Sequence, residues 1–127
     1  MAARFHRLRH RAASASAGGD CPVAPIPVVV SVDQWGDIVS QLGGACADVT
    51  TVIKSSSVDP HDYEPSPSDA AKFAGAQLVV GLDTGFTHFA AALARPTVGI
   101  FCDSDGAQAA VYGDAYCKSF GRKGMPP

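Results

Sequence analysis

A chain of 127 residues fits one ordinary domain with a modest core. Its 46% hydrophobic and 17% charged residues exclude a disordered chain, and a net charge of −2 gives no electrostatic ground for nucleic acid or an acidic membrane surface as a partner. No run of residues is apolar for long enough to span a bilayer as a helix.

The chain opens with MAARFHRLRHRAASASAGGD, where Arg4, Arg7, Arg9 and Arg11 form a basic stretch and small residues lead up to Cys21. The apolar segment that an export signal needs between those parts is missing. Residues 1–20 are therefore expected to be a disordered basic tail, an Arg-rich targeting peptide being the alternative. As it stands the chain is expected to be cytoplasmic.

From Ile26 to Val32, IPVVVSV is a continuous β-branched run after a Pro-rich entry, which predicts a buried strand of the parallel type. Asp33 is placed to cap the next helix, in which Trp35, Ile38, Val39 and Leu42 recur at helical spacing until Gly43 and Gly44 end it. Residues 48–54, DVTTVIK, alternate and predict a second strand. A loop, SSSVDPHDYEPSP, follows, and Pro67 after Ser66 starts a second helix that stops near Gly75. Residues 77–82 predict a third strand, residues 84–94 an Ala-rich third helix, and residues 97–101 a fourth strand. The remainder is rich in Gly and turn residues.

Strand and helix alternate throughout, so the expected fold class is α/β: a single Rossmann-like domain with a mostly parallel sheet flanked by helices. Ligands of such sheets bind at the carboxyl ends of the strands. Both loops of chemical interest, after the second and third strands, lie at such ends. The cysteines Cys21, Cys46, Cys102 and Cys117 form no C-x-x-C pair, which disfavours a zinc knuckle. Cys21 and Cys46 flank the first strand–helix unit and are placed for a disulfide in an oxidising compartment, whereas Cys102 reads as a free buried thiol. Cysteine usage leaves the compartment open.

In the loop after the second strand, His61 stands between Pro60 and Pro65 with Asp59, Asp62 and Glu64 around it. The prolines stiffen the backbone that presents the imidazole, and carboxylates can orient a metal-bound His. A solvated acidic loop is the alternative on residue types alone, because one His is not a site. The longer stretches IPVVVSVDQWGDIVSQLGG and VTTVIKSSSVDPHDYEPSPSDAAKFAGAQLVV resemble the N-terminal part of the zinc- or manganese-binding substrate-binding proteins of bacterial ABC transporters. That resemblance implies that His61 is a metal ligand, with the rest of the ligand set in parts of the protein downstream of this segment. It also implies an extracytoplasmic lipoprotein as the parent. A fragment this short is not expected to engage a permease.

After the third strand, Asp83, Thr84 and Gly85 lead into a helix. A strand, a Gly-containing turn and a helix N-terminus together favour an anion, with Thr84, Thr87 and His88 adding donors. Simple capping of the helix by Asp83 or Thr84 accounts equally well for the short motif. VVGLDTGFTHFAAALARPTVGIF, with the later YGDAYCKSFGRKGMPP, resembles the C-terminal domain of glycosyltransferase family 9, the ADP-heptose:lipopolysaccharide heptosyltransferases, closest to heptosyltransferase I. That resemblance implies that Asp83, Thr84, Gly85, Thr87 and His88 hold the diphosphate of ADP or ADP-heptose, and that the parent is cytoplasmic and associated with the inner membrane. Gly106 departs from the family by standing where Pro is usual, and the acceptor domain with its general base is absent.

The two resemblances meet in the strand at residues 78–81. They imply a chimera: the basic tail over 1–20, a segment like the metal substrate-binding proteins over 21–80, and a heptosyltransferase-like nucleotide-binding segment over 81–127. The expected function is a zinc- or manganese-binding fragment of an ABC-transporter substrate-binding protein with little intact activity. The alternative is a glycosyltransferase family 9 fragment that binds a sugar nucleotide. No catalytic residue is assigned.

Overall fold

The computed structural model describes residues 19–54, 58–59, 62–82, 84–102 and 117–121. These form a five-stranded sheet, β1 (Ile26–Val32), β2 (Ala47–Ile53), β3 (Leu78–Leu82), β4 (Thr97–Phe101) and β5 (Cys117–Gly121), in the order β2-β1-β3-β4-β5. Every pairing is parallel. The chain steps outward from β1 to β2, then returns to the other side of β1 and runs outward again. The order therefore reverses between β1 and β3, where parallel sheets open a crevice at their carboxyl ends.

The α/β architecture read from the sequence is the one the chain adopts. Val29 and Val79, with Val32 and Ile53 at the strand ends, pack with Phe73 of α2 (Pro67–Gly75) and with Phe86 and Ala90 of α3 (Gly85–Ala92). Val28, Val30 and Val80 face the other side, against Trp35 and Val39 of α1 (Asp33–Gly43). β1 is buried on both faces, which is why IPVVVSV carries no alternation. On the α1 side, an open apolar groove of about 380 Å³ runs over Leu78, Val80, Val98 and Ile100.

Several boundaries differ from the sequence reading. Asp33 is the first residue of α1 rather than its cap: Val32 holds the cap position in an extended conformation, with no side-chain hydrogen bond. The helix ends as expected at Gly43, and Gly44 at φ 53° sends its amide back to the Ser40 carbonyl. α3 closes at Ala92, short of residue 94, because Ala94 turns into the left-handed region at φ 54°.

β5 was not foreseen. CKSFG is a short, largely exposed edge strand, and Lys with a terminal Gly is what an edge carries to discourage further pairing. Cys102 is exposed instead of buried, since the inward position at the end of β4 belongs to Phe101. Cys21 and Cys46 form a disulfide with a Cα–Cα distance of 5.1 Å, tying the entry of β1 to the short 3-10 turn after α1. Among the described residues no helix is long and apolar enough to cross a membrane.

Candidate functional site

β2 ends in the core at Ile53, at the carboxyl end of the sheet, and α2 begins at Pro67. His61 and Pro60 lie outside the described residues, as does Asp83. The residues on either side of Pro60–His61 are joined, because the Asp62 amide donates to the Asp59 carbonyl at 3.1 Å. Asp62 and Glu64 are exposed. Tyr63 is half-buried, its ring lying 5.0 Å from that of Phe86 and its hydroxyl donating to Asp69 Oδ2 at 2.9 Å.

Asp69 gathers this segment. It is 2% exposed, and its Oδ2 accepts from the Ser66 amide at 3.0 Å and the Ser66 hydroxyl at 2.7 Å. Lys72 Nζ donates to the other oxygen at 2.9 Å, and the Asp69 amide returns a bond to Ser66 Oγ at 3.3 Å. The result is a reciprocal capping box with Pro67 at the first helical position. Burial alone would push the Asp69 carboxyl up, but the Ser66 amide and hydroxyl, Lys72 and Tyr63 outweigh it and hold the group well below the usual carboxylate range. The hydrogen bond to Asp69, followed by burial and the carboxylate charge, raises the Tyr63 phenol above its ordinary value.

The turn after β3 is built differently. Thr84 caps α3 in an extended conformation with φ −142°, makes no side-chain cap bond, and has its hydroxyl buried without a partner among the described residues. Its amide donates to the Leu82 carbonyl at 2.8 Å, and the Thr87 amide donates to the Thr84 carbonyl at 3.1 Å. Thr87 is fully buried, and its hydroxyl also donates to the Leu82 carbonyl. Gly85 and His88 are exposed, and a side chain at Gly85 would meet open space. Of the residues expected to hold a diphosphate, Thr84 and Thr87 thus turn into the protein, while Gly85 and His88 remain at the surface.

Among the described residues no three His, Cys, Asp or Glu side chains converge as a metal site would need. Sequence reasoning had read Ser66 and Pro67 as a helix start but gave Asp69 and Tyr63 no role. The signal was there, in an acidic residue three places after a Ser cap.

The profile of one protein family, zinc-uptake complex component A, periplasmic, matches residues 28–112. The match runs through residues 78–81, and no comparison supports a glycosyltransferase segment beyond them. Among solved structures, the chain is similar to zinc(II)-bound AdcA from Streptococcus pneumoniae at 19% identity and a TM-score of 0.46, over 79% of this chain. It spans 18% of that chain's length. No curated protein sequence matches.

Proposed function

The chain belongs to the zinc-uptake complex component A family of periplasmic proteins, and on that premise we propose that it is the part of such a protein that offers His61 to zinc as cargo. The observation that carries this reading is the family match across the DPHDYEPSPSD segment, which follows β2 at the carboxyl end of a parallel sheet. A neutral imidazole is a good zinc ligand, and the exposed Asp62 and Glu64 beside it add negative potential. A lone imidazole flanked by exposed carboxylates is not a closed tetrahedral set, so zinc affinity should be weak, with a Kd above about 1 μM. Manganese, a harder ion, should bind more weakly still to an imidazole-led site. The Cys21–Cys46 disulfide supports an oxidising, extracytoplasmic location.

Calorimetric titration tests the reading. The wild type should take up zinc, and His61→Ala should weaken binding about tenfold or more, the loss of one good ligand contact. Unchanged zinc binding in His61→Ala, or tight stoichiometric binding with a Kd well below about 1 μM, would overturn it.

A second reading is a site for ADP or ADP-heptose on the turn formed by Asp83, Thr84, Gly85, Thr87 and His88, in a segment fused from residue 81 onward. What favours it is the start of α3, where Thr84 makes no side-chain cap bond and a Cβ at Gly85 would meet open space. The inward hydroxyl of Thr87 and its bond to Leu82 weigh against it.

A further inference from the structure

The Cys21–Cys46 disulfide stands at the amino end of the sheet. Cys21 precedes β1, and residues 22–26 after it are exposed, Val23 by 67%. Cys46 closes the 3-10 turn that follows α1 and directly precedes β2. The bond therefore ties the entry of β1 to the exit of α1, across a separation of 25 residues that contains the whole β1–α1 unit. Next to it, Ile26, Leu42, Gly43 and Ala47 form the amino-end wall of the apolar groove on the α1 side. The wall is closely built, since a Cβ at Gly43 would collide with that of Ala47.

We propose that Cys21–Cys46 is a redox-sensitive latch on this groove: oxidised, it holds the amino-end wall against the sheet, and reduction releases the wall while the sheet stays folded. Two observations suit the bond to that task. Both cysteines are half-buried rather than enclosed, so a dithiol can reach the sulfurs, and accessible disulfides are the labile ones. The bond also lies outside the ladder. Pairing of β1 with β2 begins at Ile26 and Ala47, and the fully buried part of β1 begins at Val28, so opening the latch breaks no strand pairing. One thiolate of the dithiol attacks one sulfur of the bridge, giving a mixed disulfide and one free cysteine thiolate. The second thiol of the dithiol then displaces the other cysteine. The bridge thus gains two electrons and two protons, and the dithiol leaves as its own disulfide. The inference is independent of the zinc reading. β1 and β2 have seven residues each, which places the latch roughly 20 Å from the carboxyl ends of these strands.

Hydrogen exchange of the chain with and without dithiothreitol tests the latch, together with uptake of a dye that fluoresces on exposed apolar surface. The Gly44 amide donates to the Ser40 carbonyl and the Ala47 amide to the Gly44 carbonyl, so both report on the wall. Reduction should speed exchange at Gly44 and Ala47 several-fold, leave Val29 and Val79 protected, and raise dye fluorescence several-fold. The double variant Cys21→Ser with Cys46→Ser, which leaves no freed thiol to pair with Cys102, should behave as the reduced chain with or without dithiol. Loss of protection at Val29 and Val79 on reduction, or a double variant that does not fold, would make the bond a staple of the whole domain and overturn the latch. Exchange at Gly44 and Ala47 that ignores reduction overturns it, as does faster exchange without dye uptake, because the groove would not have opened. A bridge that resists dithiothreitol until the chain is denatured overturns it too.

Discussion

The chain starts α2 and α3 at the same end of the same sheet, yet satisfies their first turns by opposite means. At α2, Ser66 and Asp69 exchange bonds, Pro67 removes an amide that would need a partner, and the carboxylate draws Tyr63 and Lys72 inward. At α3 the cap residue, Thr84, makes no side-chain cap bond, and Thr87 in the first turn bonds back to the Leu82 carbonyl at the end of β3. The first helix start spends its polar groups on fixing the loop before it. The second uses them to fix the strand before it, and a Cβ at its first residue, Gly85, would meet open space. A motif of polar residues at a helix start is therefore not in itself a ligand site; where the hydroxyls point decides the matter.

The largest effect expected from breaking this contrast is at Asp69. Asp69→Ala removes the cap and strands the Ser66 amide and the Tyr63 hydroxyl, and should cost about 3 kcal/mol in urea unfolding. The pH dependence has a definite sign. Because its donors depress the folded-state pKa of Asp69, its contribution is complete above the ordinary aspartate value of about 4 and is lost as the pH falls below it. Asp69→Asn should flatten this acid limb of the stability curve. An equally steep limb in the variant would assign the acid sensitivity to other groups.

A smaller effect is expected at Gly81, just before the second helix start. A Cβ there would run into the Thr87 hydroxyl, which cannot swing away because Thr87 is fully buried, branched at Cβ and bonded to Leu82. Gly81→Ala should therefore destabilise by about 2 kcal/mol through overpacking. Adding Thr87→Ala should relieve part of that loss, so the two changes should not be additive. Additive losses in thermal unfolding would show that Thr87 is not what fills the space at Gly81.

The contrast also shows what was legible in the sequence. IPVVVSV, the Ser66-Pro67 helix start and TVGIF were read correctly because pattern and local chemistry agree there: a β-branched run for the strand buried on two faces, an apolar run after Arg-Pro for β4, and Pro at a first helical turn after Ser. The pairing of Cys21 with Cys46 was legible as a possibility and became definite only when the strand–helix unit between them folded back to 5.1 Å. What could not be read was direction. D-T-G-x-T-H names donors but does not say that Thr84 and Thr87 turn inward, which depends on Leu82 ending β3 with a carbonyl to satisfy. β5 escaped because an edge strand, wet on one side and polar by need, has little pattern to show. His61 was singled out by its neighbours in sequence, and it lies itself outside the described residues.

The smallest effect expected is at Gly85, and it is the one that separates the two readings of the second helix start. Gly85 stands at the first helical position after Thr84, without a left-handed φ, and a Cβ there meets nothing within 4 Å. Neither conformation nor packing requires glycine, so Gly85→Val should change stability by no more than about 0.5 kcal/mol, as for other surface substitutions. Glycine would be required only if a ligand approached the backbone closely, since a branched side chain in front of the first amides would hold a diphosphate away. A nucleotide site therefore predicts that ADP raises the melting temperature of the wild type and leaves that of Gly85→Val unchanged. The zinc-uptake reading predicts no ADP response in either protein, with zinc stabilising both alike. An ADP response of equal size in both would contradict the two readings together, because it would place the nucleotide away from the start of α3.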